Sequence, residues 1–458
     1  MYGKYAYSKY LKENSKKELF KFADDYKEFL SLGKTERLCV NEALKLAKLE
    51  GFKNLDEVTT LNPGDKVYSI NRNKNIVLYV IGKEKAVNGV NVLGAHIDSP
   101  RIDVKQNPLY ESTGFALLDT HYYGGVKKYQ WVTIPLALHG VVYKKDGTSV
   151  DINIGEKEDD PIFCITDLLI HLSKDQLTKT ASKVIEGEDL DVTVGSFPLD
   201  GKDEKEAVKG NLLKILKEQY NIEEEDFLSA EIEVVPAGKA RDLGLDRSMV
   251  AGYGHDDRVC AYTSLRAILD LKEVPNRTSC CILVDKEEIG SVGATGAHSN
   301  YFTNTLAQLL ELQGCKSEFD LRKCLTNSNM LSSDVSAGVD PLYLSVCELK
   351  NSAFLGKGIV FNKYTGSGGK GGCNDANPDF IAKLRRILDE NNVHFQTAEL
   401  GKVDQGGGGT IAYILSNLNM NVIDAGIAVL NMHAPLEVVS KVDLYEAYLA
   451  YKAFLLNA

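Results

Sequence analysis

The sequence predicts an α/β protein interrupted by a mostly β insertion, and three observations carry that reading. Short apolar runs, Asn75 to Gly82, Gly89 to Ala95, Ser279 to Asp285 and Asn421 to Leu430, alternate with helix-periodic segments. Between Arg101 and Val235 the rhythm changes to strand-like runs separated by acidic patches. The length of 458 residues exceeds one simple core, while a hydrophobic share of 44% supplies ample material for burial. The expected layout is a main domain built from residues 1–100 and 236–458, with 101–235 inserted.

From Ser8 to Gly51 two amphipathic helices are expected, one carrying Phe20, Phe22, Tyr26 and Phe29, the next Ala43, Leu44, Ala47 and Leu49. Within the insertion, Trp131 to Leu138, Gly140 to Tyr143 and Val150 to Ile154 read as strands, and Asp167 to Lys174 and Glu204 to Tyr220 as helices. The alternation leaves one strand face for pairing, which suits subunit contact. The acidic runs, such as Glu156 to Asp160, read as solvated faces. After Val235 the α/β rhythm returns, with helices expected over Val259 to Leu271, Ile411 to Leu418 and Val442 to Leu456.

A net charge of -11 and a pI near 5.4 lack the basic stripes of a nucleic-acid footprint. No apolar run has membrane-spanning length, and the charged sequence after Met1 has no signal-peptide core. Nine cysteines, odd in number and without a Cys-x-x-Cys pair, read as reduced residues of a cytoplasmic protein.

The chemistry concentrates where apolar runs end. Leu283-Val284-Asp285-Lys286-Glu287-Glu288-Ile289-Gly290 releases two adjacent carboxylates from a buried strand; one suits a cation, and the other a proton taken from metal-bound water. Gly94-Ala95-His96-Ile97-Asp98 places a histidine at a strand end with an aspartate in position to orient its ring. Asp256-Asp257-Arg258 opens a helix, where a carboxylate also serves as a cap. Asp334 and His433 each follow a further apolar run. In an open α/β sheet the carboxyl ends of strands line one edge, so these distant residues can converge on one crevice. Two imidazoles with several carboxylates suit a pair of zinc or similar divalent ions, which activate water and polarise an amide carbonyl. No Gly-x-Ser-x-Gly elbow and no cysteine signature offers a competing nucleophile.

Two glycine-rich stretches remain. Gly366 to Gly372 lacks the Gly-Lys-Ser/Thr ending of a phosphate loop. Asp404 to Thr410, with Gly408 and Gly409, runs into a helix; its N–H groups either hold a substrate carbonyl or carboxylate, or simply let the chain turn.

The motif order Gly94-Ala95-His96-Ile97-Asp98, Asp256-Asp257-Arg258, Asp285 to Ser291, Ser333-Asp334 and Met432-His433, with Tyr123-Gly124-Gly125 in the insertion, resembles the aspartyl aminopeptidase and aminopeptidase I family of dinuclear zinc exopeptidases. The resemblance spans nearly the whole chain. It implies a three-layer α/β/α metallopeptidase domain, an inserted mostly β dimerisation domain, and dimers building to dodecamers. Two divalent ions, zinc foremost with cobalt or manganese as alternatives, would be held by His96, Asp256, Glu288, Asp334 and His433, with Asp256 bridging. Glu287 would be the general base, Asp98 would orient His96, and the substrates would be short peptides with a free N-terminus. Aspartyl-specific relatives carry a His-Leu-Ala-Ile-His-like helix that reaches a neighbour's active site; here the stretch is Asp167-Leu168-Leu169-Ile170-His171, and an acid replaces one histidine. A carboxylate there would repel an acidic substrate side chain, whereas Lys370 could meet a substrate carboxylate. The competing functions are a dinuclear deacylase or carboxypeptidase, and a non-catalytic assembly or cargo protein on the same fold.

Overall fold

The computed structural model describes residues 5–201 and 205–458. One compact unit is formed by the chain up to Asp98, Ala240–Met432 and Leu436–Ala458; the other comprises Ser99–Lys239 and His433–Pro435.

The first unit is built on a nine-stranded sheet whose middle is parallel, in the order Thr278–Val284, Val90–His96, Asn329–Ser332, Asn421–Gly426. Strands buried on both faces read as unbroken apolar runs. In Thr278–Val284, Cys280, Ile282 and Val284 point to one face and Cys281 and Leu283 to the other, and the two sets join different cores. The larger core takes Tyr26, Phe29, Val40, Leu265, Ile268 and Phe454 from helices Glu13–Leu32, Glu36–Leu49, His255–Leu269 and Lys441–Asn457. The opposite face is covered by Phe302, Leu306, Leu309 and Ile414 from Tyr301–Leu312 and Ala412–Ser416. The fold is therefore α/β with three layers. A five-stranded sheet, Arg241–Leu243, Met249–Gly252, Glu437–Ser440, Ala428–Leu430 and Ser336–Ala337, completes this unit.

The second unit is a six-stranded antiparallel sheet with helix Ala207–Tyr220. Four of its strands, Arg101–Ser112, Phe115–Tyr123, Val192–Gly195 and Ala230–Pro236, go beyond the expected ones; Arg101–Ser112 lacks an apolar run, and Phe115–Tyr123 has only a short one at its start. The separate runs ending at Leu138 and starting at Gly140 are one strand, Leu136–Tyr143; a Cβ at Gly140 would lie 1.9 Å from the Glu231 carbonyl, so glycine lets the neighbouring strand close in. Trp131 is fully buried but outside the strand. The helix expected over Asp167 to Lys174 is absent. Only a 3-10 turn, Ile170–Leu172, forms, because Asp167 spends its carboxylate on the Leu168 N–H and on Gln176, an arrangement that competes with helix. The start expected for the next helix, Glu204, lies outside the described residues. Among the described residues no helix is long and apolar enough to cross a membrane.

Candidate metal centre

Three of the four central strands, Val90–His96, Thr278–Val284 and Asn329–Ser332, deliver polar groups at their carboxyl ends or just beyond. His96 is the last residue of Val90–His96 and is buried. Its Nδ1 lies 3.0 Å from the Asp98 carbonyl oxygen and 3.3 Å from the Asp98 carboxylate. A carbonyl only accepts, so Nδ1 carries the proton and Nε2 presents its lone pair. Nε2 faces Asp256 Oδ1 at 3.2 Å and Asp334 Oδ1 at 3.8 Å.

Asp98 has a second task. Its two carboxylate oxygens accept the backbone N–H groups of Glu287 and Glu288, at 3.1 and 3.2 Å, which fixes the 3-10 turn Glu287–Ile289 next to the His96 strand. The same turn is closed from behind. Thr295 donates its hydroxyl to Asp285 at 2.6 Å, and Asn75 donates to the Thr295 carbonyl at 2.5 Å. His96, Glu287 and Glu288 thereby offer ligand atoms that all lie within 4.8 Å of one another, and so do His96, Asp257 and Asp334.

Asp334 follows strand Asn329–Ser332, and Gly426 governs its approach: a Cβ there would lie 1.7 Å from the Asp334 carbonyl oxygen. Asp256 and Asp257 open helix His255–Leu269 with non-helical backbone angles and a cis peptide between them. Asp257 turns a carboxylate oxygen to the His96 N–H, 3.3 Å away, and Arg258 donates to the Ile97 carbonyl at 3.3 Å.

Burial pushes the Glu287 carboxyl up to about 8, with His96 opposing and the Asp334, Asp98 and Asp256 charges reinforcing. Burial and Asp256 likewise raise Asp334, although His96 opposes. For His96 burial disfavours the charged ring, but hydrogen bonds with Asp256, Asp334 and Asp98 outweigh it and lift the imidazole well above its usual value. Such a set, several buried or half-buried acids about His96 Nε2, calls for positive charge, which a proton on that nitrogen supplies when no cation does. Its nitrogen and oxygen donors fit a hard or borderline divalent ion.

In the second unit, His433 repeats the arrangement seen at His96. Its Nδ1 lies 2.8 Å from the Gly125 carbonyl, so Nδ1 donates and Nε2 keeps the lone pair; this gives the Tyr123-Gly124-Gly125 motif a physical role. His171 lies exposed in the turn Ile170–Leu172 of that unit. Lys370 pairs with Asp375 at 3.0 Å and lies over the Tyr364 ring, 3.8 Å from its centre. Gly408 donates its N–H to the Thr365 carbonyl at 3.1 Å, and a Cβ at Gly409 would meet open space.

Several participants carry no sequence signal. Asp424, inside strand Asn421–Gly426, accepts from Thr410 at 2.6 Å and is pushed up to about 7 by burial and then by Asp334 despite the Thr410 bond. It ties the end of the glycine-rich stretch to the sheet. Glu437 is buried at the start of a strand and accepts the Asp256 N–H at 3.0 Å.

Comparison with known proteins bears directly on this centre. Residues 29–455 match the family described as aminopeptidase I zinc metalloprotease (M18). A probable M18 family aminopeptidase 1 from Clostridium acetobutylicum is 59% identical over 458 residues, covering 99% of this chain and 98% of the relative. The crystal structure of an M18 family aminopeptidase from Thermotoga maritima superposes with a TM-score of 0.96 at 46% identity, covering 100% of both chains. The S. cerevesiae mApe1 dodecamer shares the fold at 20% identity, with a TM-score of 0.75 and coverage of 94% and 95%. The chain belongs to the aminopeptidase I zinc metalloprotease (M18) family and is a metal-dependent aminopeptidase.

Proposed function

We propose that the enzyme removes N-terminal residues from short peptides at a two-ion centre held by His96, Asp256, Glu288, Asp334 and His433, with Asp256 shared and zinc the resident metal. The observation that carries this reading is the orientation of His96: its Nδ1 proton is committed to Asp98, and its Nε2 faces Asp256 and Asp334. When bound, divalent ions lower the pKa of water and polarise a carbonyl. The chain's own groups do the rest. Glu287 takes the water's proton and returns it to the departing amine; its raised affinity for protons suits that shuttle. Asp98 keeps Glu287, Glu288 and His96 in one register through its three contacts. A carboxylate of this group is the natural docking point for the free ammonium of the substrate.

His171, Lys370, Gly408 and Gly409 belong, in this reading, to substrate contact rather than to chemistry. The second unit would mediate dimers that build to dodecamers, a proposal supported by the assembly of the S. cerevesiae relative. Nine cysteines, with no disulfide among the described residues, support a cytoplasmic setting.

Release of the first residue should be measured on matched peptides beginning with Asp, Glu, Leu or Lys, with free and acetylated amines, before and after chelation. Cleavage confined to free-amine peptides and abolished by chelation is the expected result. Cleavage of acetylated peptides would transfer the site to the deacylase reading.

A further inference from the structure

The turn that carries Asp256 is held at four successive residues, and the holders come from four parts of the chain. His255, fully buried, accepts the Tyr26 hydroxyl at Nδ1, 2.6 Å away, and gives its Nε2 proton to the Val250 carbonyl at 3.2 Å. Burial depresses this ring to about 3, so the imidazole remains neutral and acts as a fixed brace. Asp257 and Arg258 bind the backbone of His96 and Ile97. The remaining contact is the Asp256 N–H itself, which donates to the Glu437 carboxylate at 3.0 Å in a buried setting.

That last contact differs from the others. A carboxylate accepting an N–H at the opening turn of a helix makes a charge-assisted bond that the helix dipole strengthens. It acts on the peptide of the proposed bridging ligand rather than on a neighbour. Glu437 is also anchored from its own side: it opens strand Glu437–Ser440, where it pairs with Gly252, three residues before His255 in the opposing strand. The Asp256 carboxylate, one rotatable side chain from a peptide fixed at both ends, can then meet His96 Nε2 without searching.

We propose that Glu437 is a positioning residue for the metal centre: by holding the Asp256 N–H it sets how tightly the shared cation is bound. The inference rests on the two-ion reading given above. Outer partners of metal ligands typically change affinity by about 10–100-fold when removed, so Glu437→Ala should weaken metal by that factor. Glu437→Gln retains an oxygen acceptor for the Asp256 N–H and should restore affinity to within about threefold of the wild type, an outcome that loss of a merely structural carboxylate would not produce.

Asp443 supplies the control. It too is a buried carboxylate accepting two backbone N–H groups, from Gly356 and Gly358 at 2.6 and 2.7 Å, but those hold a loop and no candidate ligand. The experiment is zinc competition against a chromophoric chelator, with metal per chain and the melting temperature of the metal-free protein, for wild type, Glu437→Ala, Glu437→Gln and Asp443→Ala. Weakened zinc binding in Glu437→Ala, rescue in Glu437→Gln and unchanged zinc affinity in Asp443→Ala are expected. Equal weakening in Glu437→Ala and Asp443→Ala, or no rescue by Gln, overturns the positioning role while two zinc ions in the wild type leave the centre intact. A wild type that binds no zinc overturns both.

Discussion

The strand-end centre and the glycine-rich loops around Lys370 belong to the same unit yet are built on opposite principles. At the centre the carboxylates are buried or half-buried, and several are tied to distant elements: Asp98 to the Glu287 turn, Asp257 to the His96 backbone, Glu437 to the Asp256 N–H. In the loops the charges are exposed and satisfied locally, as when Lys363 and Lys370 share Asp375. Charges fixed at long range in a dry site hold a reacting geometry, whereas local exposed pairs are worth little and are free to exchange partners. In the proposed reading the chemistry belongs to the first region and adjustment to substrate to the second.

Substitutions that break this contrast should rank accordingly. Glu287→Gln should cost about 10²–10⁴-fold in kcat, the usual worth of a positioned base, with metal content intact; Asp256→Asn should lose metal as well. Asp98→Ala leaves the Glu287 and Glu288 N–H groups without their acceptor and removes the carboxylate beside His96 Nδ1, which keeps only the backbone carbonyl; it should lower metal affinity or kcat by about 10–100-fold, read by parallel metal analysis and kinetics. Gly426→Ala forces a methyl against the Asp334 carbonyl; a loss of about 1–3 kcal/mol in stability, with weakened metal binding, is expected from denaturant unfolding and metal titration. Lys370→Ala, at the other extreme, should alter kcat/KM by less than about fivefold on neutral peptides, the limit set by an exposed ion pair. A larger effect confined to acidic peptides would move Lys370 into substrate recognition.

A further test concerns pH. His255 is held near 3 in the folded protein against 6.5 for the free side chain, so the unfolded chain binds a proton first as pH falls. Stability from this group is present above pH 6.5 and is lost on acidification towards 3, at up to about 1.4 kcal/mol per pH unit. Urea unfolding of metal-free wild type and His255→Gln across that window should show the variant with the shallower acid loss.

Much of the centre was legible because sheet physics repeats: an apolar run ending in His96, in Glu287 and Glu288, or just before Asp334 marks a strand terminus, and parallel strands bring such termini together. The main helices were likewise marked by their apolar periodicity, with ends displaced by a few residues, as in His255–Leu269. What stayed hidden depends on contact rather than pattern. Glu437 looks like any strand-opening acid, and Gly426 like any strand glycine, until the Asp256 N–H and the Asp334 carbonyl are seen against them. In the second unit, Arg101–Ser112 alternates polar and apolar residues irregularly and gave no run to read, while Asp167 to Lys174 has helical spacing without a helix because Asp167 captures the first N–H.

The most direct test of the division between a fixed chemical centre and adjustable loops is one paired measurement on Glu287→Gln, with zinc per chain and the rate of N-terminal residue release determined on the same sample. Zinc equal to the wild type with turnover reduced at least about 100-fold is the result expected of a base that holds no metal. Near wild-type turnover at full zinc occupancy would contradict it.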